Sequence, residues 1–264
     1  MAVNVNTVYQ TVLLILNQQQ RGYMTPDEFN KVAAQVQLTI FETYASDLNQ
    51  QYRVPQNDTD YGNRIKNIQL KLQPFQKYIS NATLAGAITG TNPFTLNIYD
   101  YTNPTAPVAG ILGDFYRLGS VMYRGTELNQ YAQRSEITQL LLSPLTQPSI
   151  NFPIFLYEAG ATATPNNGLL YVYPTTIVDA NDINIAYLAK PKNPIWAFTQ
   201  MVGGLQGGVY LYDAGPSQDF ELDISEQTEI ILRILAYAGV IIEDPTIIQV
   251  ASQAVASEDA NEKS

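Results

Sequence analysis

The chain contains neither cysteine nor histidine. Together these absences remove disulfides, thiolate chemistry, Ser-His-Asp catalysis and ordinary zinc sites. Charge is scarce as well, at 14% of the 264 residues, and Lys and Arg nowhere cluster. A phosphate backbone is held by clustered cations, so the footprint of a nucleic-acid binder is missing. No apolar run reaches membrane-spanning length, and no signal-peptide pattern opens the chain. The expectation is a soluble protein made in the cytoplasm, with no cofactor, no metal and no membrane partner.

What is present is apolar or polar without charge. Hydrophobic residues make up 45%, which rules out compositional disorder. Tyrosine is frequent at 18 residues, and its ring and polar tip suit surfaces half buried against a partner. The net charge of −10 is uneven. Residues 1–80 carry seven basic and six acidic groups, residues 81–223 five and eleven, and residues 224–264 two and seven.

The stretch Thr25-Pro26-Asp27-Glu28 predicts the start of a long helix. Thr25 is an N-cap, Pro26 fits the first turn, and Glu28 stands at capping-box spacing. Asp27 and Glu28 also favour the positive end of the helix dipole. Phe29, Val32, Ala33, Val36, Ile40 and Tyr44 then recur at 3-and-4 spacing, one buried helix face. Before it, Asn6 or Thr7 caps a helix to about Gln20, with Val8, Val12, Ile15 and Leu16 on one side. Gly22 marks the turn between the two. A third helix, about 61–73, carries Ile65, Ile68 and Leu72 and stops at Pro74.

From about residue 79 the period changes to two. Phe94, Leu96 and Ile98, then Tyr171 and Tyr173, then Ile183, Ile185 and Tyr187, and finally Val209 to Tyr212 read as short strands. Turn signals separate them, the spacing of a sandwich or barrel. One short helix interrupts, capped by Ser135, with Ile137, Leu140 and Leu141 as its apolar residues, and ended by Pro144. Helical period returns after Phe220. Ser225 caps a helix bearing Ile230, Ile231, Ile234, Leu235 and Ala238, ended by Gly239. Asp244-Pro245 starts a last one. Helices at both ends need apolar partners and pack most simply on one another. The expected fold is α+β. A helical bundle is built from residues 1–78 and 224–264, with a β-rich insertion at 79–223.

Few residues invite chemistry. Asp213, Asp219, Glu221 and Asp223 cluster near a turn, and Asp179 and Asp182 flank another. Paired carboxylates can serve a glycosidase, whereas solvated loop acids are the commoner case. The loop 55–60 lacks the Gly and Glu of an EF-hand. Gly203 to Gly208 lack the Gly-Lys-Ser/Thr of a phosphate loop. Trp196 reads either as a sugar platform or, more commonly, as a core or interface residue.

Several stretches, taken in order, resemble virion proteins of tailed bacteriophages, of the crAss-like and podovirus type. They are Gln20-Arg21-Gly22-Tyr23-Met24-Thr25-Pro26-Asp27-Glu28-Phe29-Asn30, Asn151-Phe152-Pro153-Ile154-Phe155, Tyr171-Val172-Tyr173-Pro174, Tyr187 through Trp196, and Leu235-Ala236-Tyr237-Ala238-Gly239-Val240. The layout is similar to the adaptor proteins of the head–tail connector. That likeness implies a structural subunit, not an enzyme, in a homo-oligomeric ring of about twelve copies. It implies a place in the virion below the portal protein, against neighbouring tail and ring proteins, with DNA passing through the channel without specific binding. It also implies that the segment from Pro245 docks on the portal or a neighbouring subunit. Ile247, Ile248, Ala251, Ala254 and Val255 are the candidate docking residues. Two alternatives stand beside this reading, a tail-fibre or carbohydrate-binding β-module and a polysaccharide hydrolase.

Overall fold

The computed structural model describes residues 2–18, 24–51, 64–79, 88–91, 93–100, 113–127, 131–159, 167–177, 182–200, 210–241 and 249–257. The elements begin with β1 (Ala2–Val3), α1 (Val5–Gln18), α2 (Pro26–Gln51) and α3 (Arg64–Leu72). Then come β2 (Gln76–Ile79), β3 (Ile88–Thr91), β4 (Phe94–Asp100), β5 (Phe115–Tyr123) and β6 (Thr126–Glu127). They are followed by α4 (Arg134–Leu142), β7 (Ile154–Ala159), β8 (Asn167–Tyr173) and β9 (Ile183–Ala189). Last are β10 (Phe198–Gln200), β11 (Tyr210–Tyr212), β12 (Phe220–Asp223), α5 (Gln227–Ile241) and α6 (249–257). Helices and antiparallel strands are mixed, so the fold class is α+β, as the changing period predicts.

Two compact units divide the chain. One joins residues 1–74 to 191–264, and the other is 75–190. In the first, α2 packs on α3 and α5, and α1 packs on α5. Phe29, Ala33, Val36, Ile40, Phe41 and Tyr44 bury the face of α2. Its start is the reciprocal cap that the sequence predicts. Thr25 N donates to Glu28 Oε2 at 2.8 Å, and Glu28 N donates to Thr25 Oγ1 at 3.4 Å. These bonds, led by the one from the Thr25 backbone, hold the Glu28 carboxyl below the usual range.

Four other helix ends differ from expectation, the starts of α1, α4 and α5 and the end of α5. The cap of α1 is Asn4, whose Oδ1 accepts from Thr7 N at 3.0 Å, because Asn6 is turned to another partner. Before α5 lies a 3-10 turn, Ile224–Glu226, capped by Asp223 and not by Ser225. The helix then runs past Gly239 to Ile241, since packing outweighs the modest cost of an interior glycine. For α4, the residue before the first turn is Gln133, and its N–H donates to Glu136 Oε2 at 2.8 Å. The third helix spans Arg64–Leu72, and Pro74 lies in the 3-10 turn that follows.

The boundary at 223 moves to Lys190/Pro191 for a physical reason. β12 pairs with β1, and β10 pairs with β11, within the helical unit. Gln37, only 1% exposed in the middle of α2, ties the incoming strands down. Its Nε2 donates to Lys192 O at 2.6 Å, and its Oε1 accepts from Glu221 N at 3.0 Å.

In the second unit two four-stranded antiparallel sheets, ordered β2-β9-β5-β6 and β3-β4-β8-β7, share one apolar core, a sandwich. Leu96 and Leu170 face each other across β4 and β8 and are fully buried. β9 alternates strictly from Ile183 to Ala189. Phe155 of β7 joins this shared core, while its neighbours Ile154 and Leu156 point the other way and receive Ile137 and Leu140 of α4. Neither β5 nor β7 is marked by period-two alternation in the sequence.

Candidate interaction surfaces

The four acids near the turn are structural. Asp219 Oδ1 accepts from Val5 N at 2.9 Å, at the start of α1. Glu221 Oε2 accepts from Lys192 N at 2.8 Å. Asp223 Oδ1 accepts from Ser225 N at 3.0 Å, and Asp213 Oδ1 from Gly215 N at 3.1 Å. Each carboxylate accepts from a backbone N–H, so these acids serve as caps and ties. Asp182 pairs with Arg124 at 3.0 Å. Asp179, the loop 55–60 and Gly203 to Gly208 lie outside the described residues. Among the described residues no group of three or more acids can hold a metal ion.

Trp196 is a core residue at 4% exposure. Its Nε1 donates to Asn6 Oδ1 at 3.0 Å, and its ring lies against Tyr9, 4.4 Å between centroids, and Tyr212, 5.6 Å. A sugar has no face of it to stack on.

The sequence carries no warning of a buried ionic cluster at the start of α5 and the 3-10 turn before it. Glu226 and Glu229 are 2% and 9% exposed. Lys71 Nζ of α3 meets Glu226 Oε1 at 2.6 Å, and Arg233 Nε donates to Glu229 Oε1 at 2.6 Å. Burial pushes Glu226 up, but the hydrogen bonds from Lys71 and Tyr44 and the Lys71 charge outweigh it and hold the carboxyl low. Burial, followed by the hydrogen bond to Glu226, pushes Glu229 up to about 7 against the attraction of Arg233. Lys71 also lies 5.2 Å from the centre of the Tyr44 ring. A cleft of about 440 Å³, lined in part by Tyr44, Asn67, Ile68 and Lys71, opens beside these groups. Each acid lies beside a cation, Glu226 beside Lys71 and Glu229 beside Arg233.

Of the candidate docking residues, Ala251 is buried at 4%, and Ala254 and Val255 are half-buried. Ile247 and Ile248 lie outside the described residues. One side of α6 faces its own unit, where Val36, Thr39, Ala236, Tyr237 and Val255 line a cavity of about 300 Å³. The side carrying Val250, 63% exposed, is open.

A second exposed feature has no counterpart among the sequence candidates. At the end of α4 and beyond it stand Leu142, Leu145 and Phe152, 80%, 95% and 79% exposed. A signal was there to read: no charged residue occurs from Ile137 to Tyr157. Among the described residues no helix is long and apolar enough to cross a membrane. No protein-family model matches the chain, and no curated protein matches it in sequence.

Proposed function

We propose that this chain is a structural subunit of a ring in the head–tail connector of a tailed bacteriophage, below the portal and around the DNA channel. The observation that carries the reading is the division into two units. The chain ends share one helical unit, and the middle forms a β-sandwich. That is the layout the resemblance implies for adaptor proteins. The fate of the acids supports it, because residues that suggested a hydrolase are used as caps and ties. Burial of Trp196 likewise weakens the carbohydrate-binding alternative.

In this reading about twelve copies close head-to-tail. The C-terminal segment docks on the portal or a neighbour through the open side of α6, with Ile247 and Ile248 as further candidates. At −10 per copy the ring repels phosphate, so DNA slides instead of binding. Depletion of this protein during infection tests the reading. The expected product is DNA-packaged heads that fail to join tails. Complete tailed particles that only fail to adsorb to cells would point to a fibre protein instead.

A further inference from the structure

Fourteen large apolar side chains are exposed among the described residues, and five of them lie within one segment of twelve residues. They are Leu141 (39%), Leu142 (80%), Leu145 (95%), Ile150 (48%) and Phe152 (79%). The other nine are spread along the rest of the chain, which is ordinary for surface residues. The segment is held in place by local bonds. Thr146 N donates to Ser143 O at 3.2 Å, and Phe152 N donates to Ser149 O at 3.1 Å. Pro148 is buried beneath it. The inner face of α4 is already used by Ile137 and Leu140 against Ile154, Leu156 and Tyr173. Leu141 and Leu142 therefore stand on what remains.

The size of the surface suits a protein partner. At roughly 150 Å² for a Leu or Ile side chain and about 200 Å² for Phe152, these five together expose on the order of 550 Å². The largest apolar patch of a typical monomer is about 300–600 Å², and one side of a standard interface is about 800 Å². Its electrostatics say which partner. No charge interrupts Ile137 to Tyr157, and the flanking charges are already engaged. Arg134 Nε donates to Glu158 Oε2 at 3.0 Å, and Glu136 binds the Gln133 backbone. A second copy, itself carrying −10, is repelled wherever its acids meet acids, and this surface offers none. A lipid surface would call for flanking Lys and Arg, which this stretch lacks.

We infer that Leu141 to Phe152 is the surface on which a second copy of this chain docks. The inference takes its purpose from the ring reading, but its test needs no virion. The full chain is followed by light scattering from micromolar to near-millimolar concentration. Wild type self-associates, and Leu142→Asp or Phe152→Asp weakens this by about thirtyfold or more with the melting temperature unchanged. Leu142→Gln and Phe152→Gln repeat the test should Asp disturb folding. A photo-crosslinker on the thiol of Leu145→Cys, the sole cysteine, joins two copies. A wild type that stays monomeric throughout, variants that associate like wild type, or crosslinks within one copy only each overturn the inference. A virion without such a ring would sink the connector reading and leave this result standing.

Discussion

Asn30 and Trp196 are paired as two strands would be. Trp196 N donates to Asn30 Oδ1 at 2.7 Å, and Asn30 Nδ2 donates to Trp196 O at 3.1 Å. One side-chain amide on α2 thus satisfies both backbone groups of a buried residue 166 positions away. Asn30→Ala leaves both groups unpaired and is expected to cost about 2–4 kcal/mol. Asn30→Asp keeps the acceptor and loses the donor, so its cost should be smaller. Urea unfolding of the three proteins checks the order, and equal midpoints would contradict it.

Glu229 makes stability depend on pH. Its carboxyl is raised in the folded state, so the folded chain holds the proton more tightly than the unfolded chain. The stability this supplies is fully present below the unfolded value and is lost as pH rises through about 7. Glu226 is held low, so its contribution has the opposite sign and is lost in more acidic solution. Between about pH 4.5 and 7 the slope belongs to Glu229. Glu229→Gln should flatten the fall of melting temperature with pH across that window. An unchanged slope in the variant would rule the assignment out.

Gly119 lies in β5 where the register with β9 shifts. A Cβ there would meet the backbone oxygen of Ala186 at 2.9 Å, and a backbone group cannot swing aside. Gly119→Ala should cost about 1–3 kcal/mol, the range for overpacking. Gly125, with φ +79° and open space around it, is strained on substitution for a different reason, its backbone conformation. Thermal unfolding reads both.

Val250→Asp tests docking of the C-terminal segment without touching its buried side. Val250 is 63% exposed, so the melting temperature should stay within a degree or two. Incorporation into portal-containing heads should fall at least tenfold. Normal incorporation would remove the open side of α6 from the docking role. Truncation before Asp244 also removes buried Ala251, so its loss of incorporation is informative only if the shortened chain still melts cooperatively.

Some local signals are legible in the sequence, while distant ones are not. Thr25 and Glu28 lie three residues apart, so their reciprocal cap is legible without any tertiary contact. The apolar face of α2 follows from its period, as does the alternation of β9. Gln37 and Asn30 look like ordinary surface polar residues of a helix. Their partners, Lys192 and Trp196, are 155 and 166 positions away. The misplaced boundary at 223 follows from the same blindness, since strand period cannot say which unit a strand joins. Asp219 reads as part of an exposed acid cluster because a cap across the fold looks the same in sequence as a solvated loop acid. Leu142, Leu145 and Phe152 carry no local mark of exposure, because an apolar residue in a sequence reads as core by default.

A symmetric cryo-EM reconstruction of the portal vertex tests the central claim most directly. The account predicts a closed ring beneath the portal whose subunits fit the helical unit and the sandwich as separate bodies, in about twelve copies. Density for this chain at the particle periphery, or in copies without rotational symmetry, would contradict it.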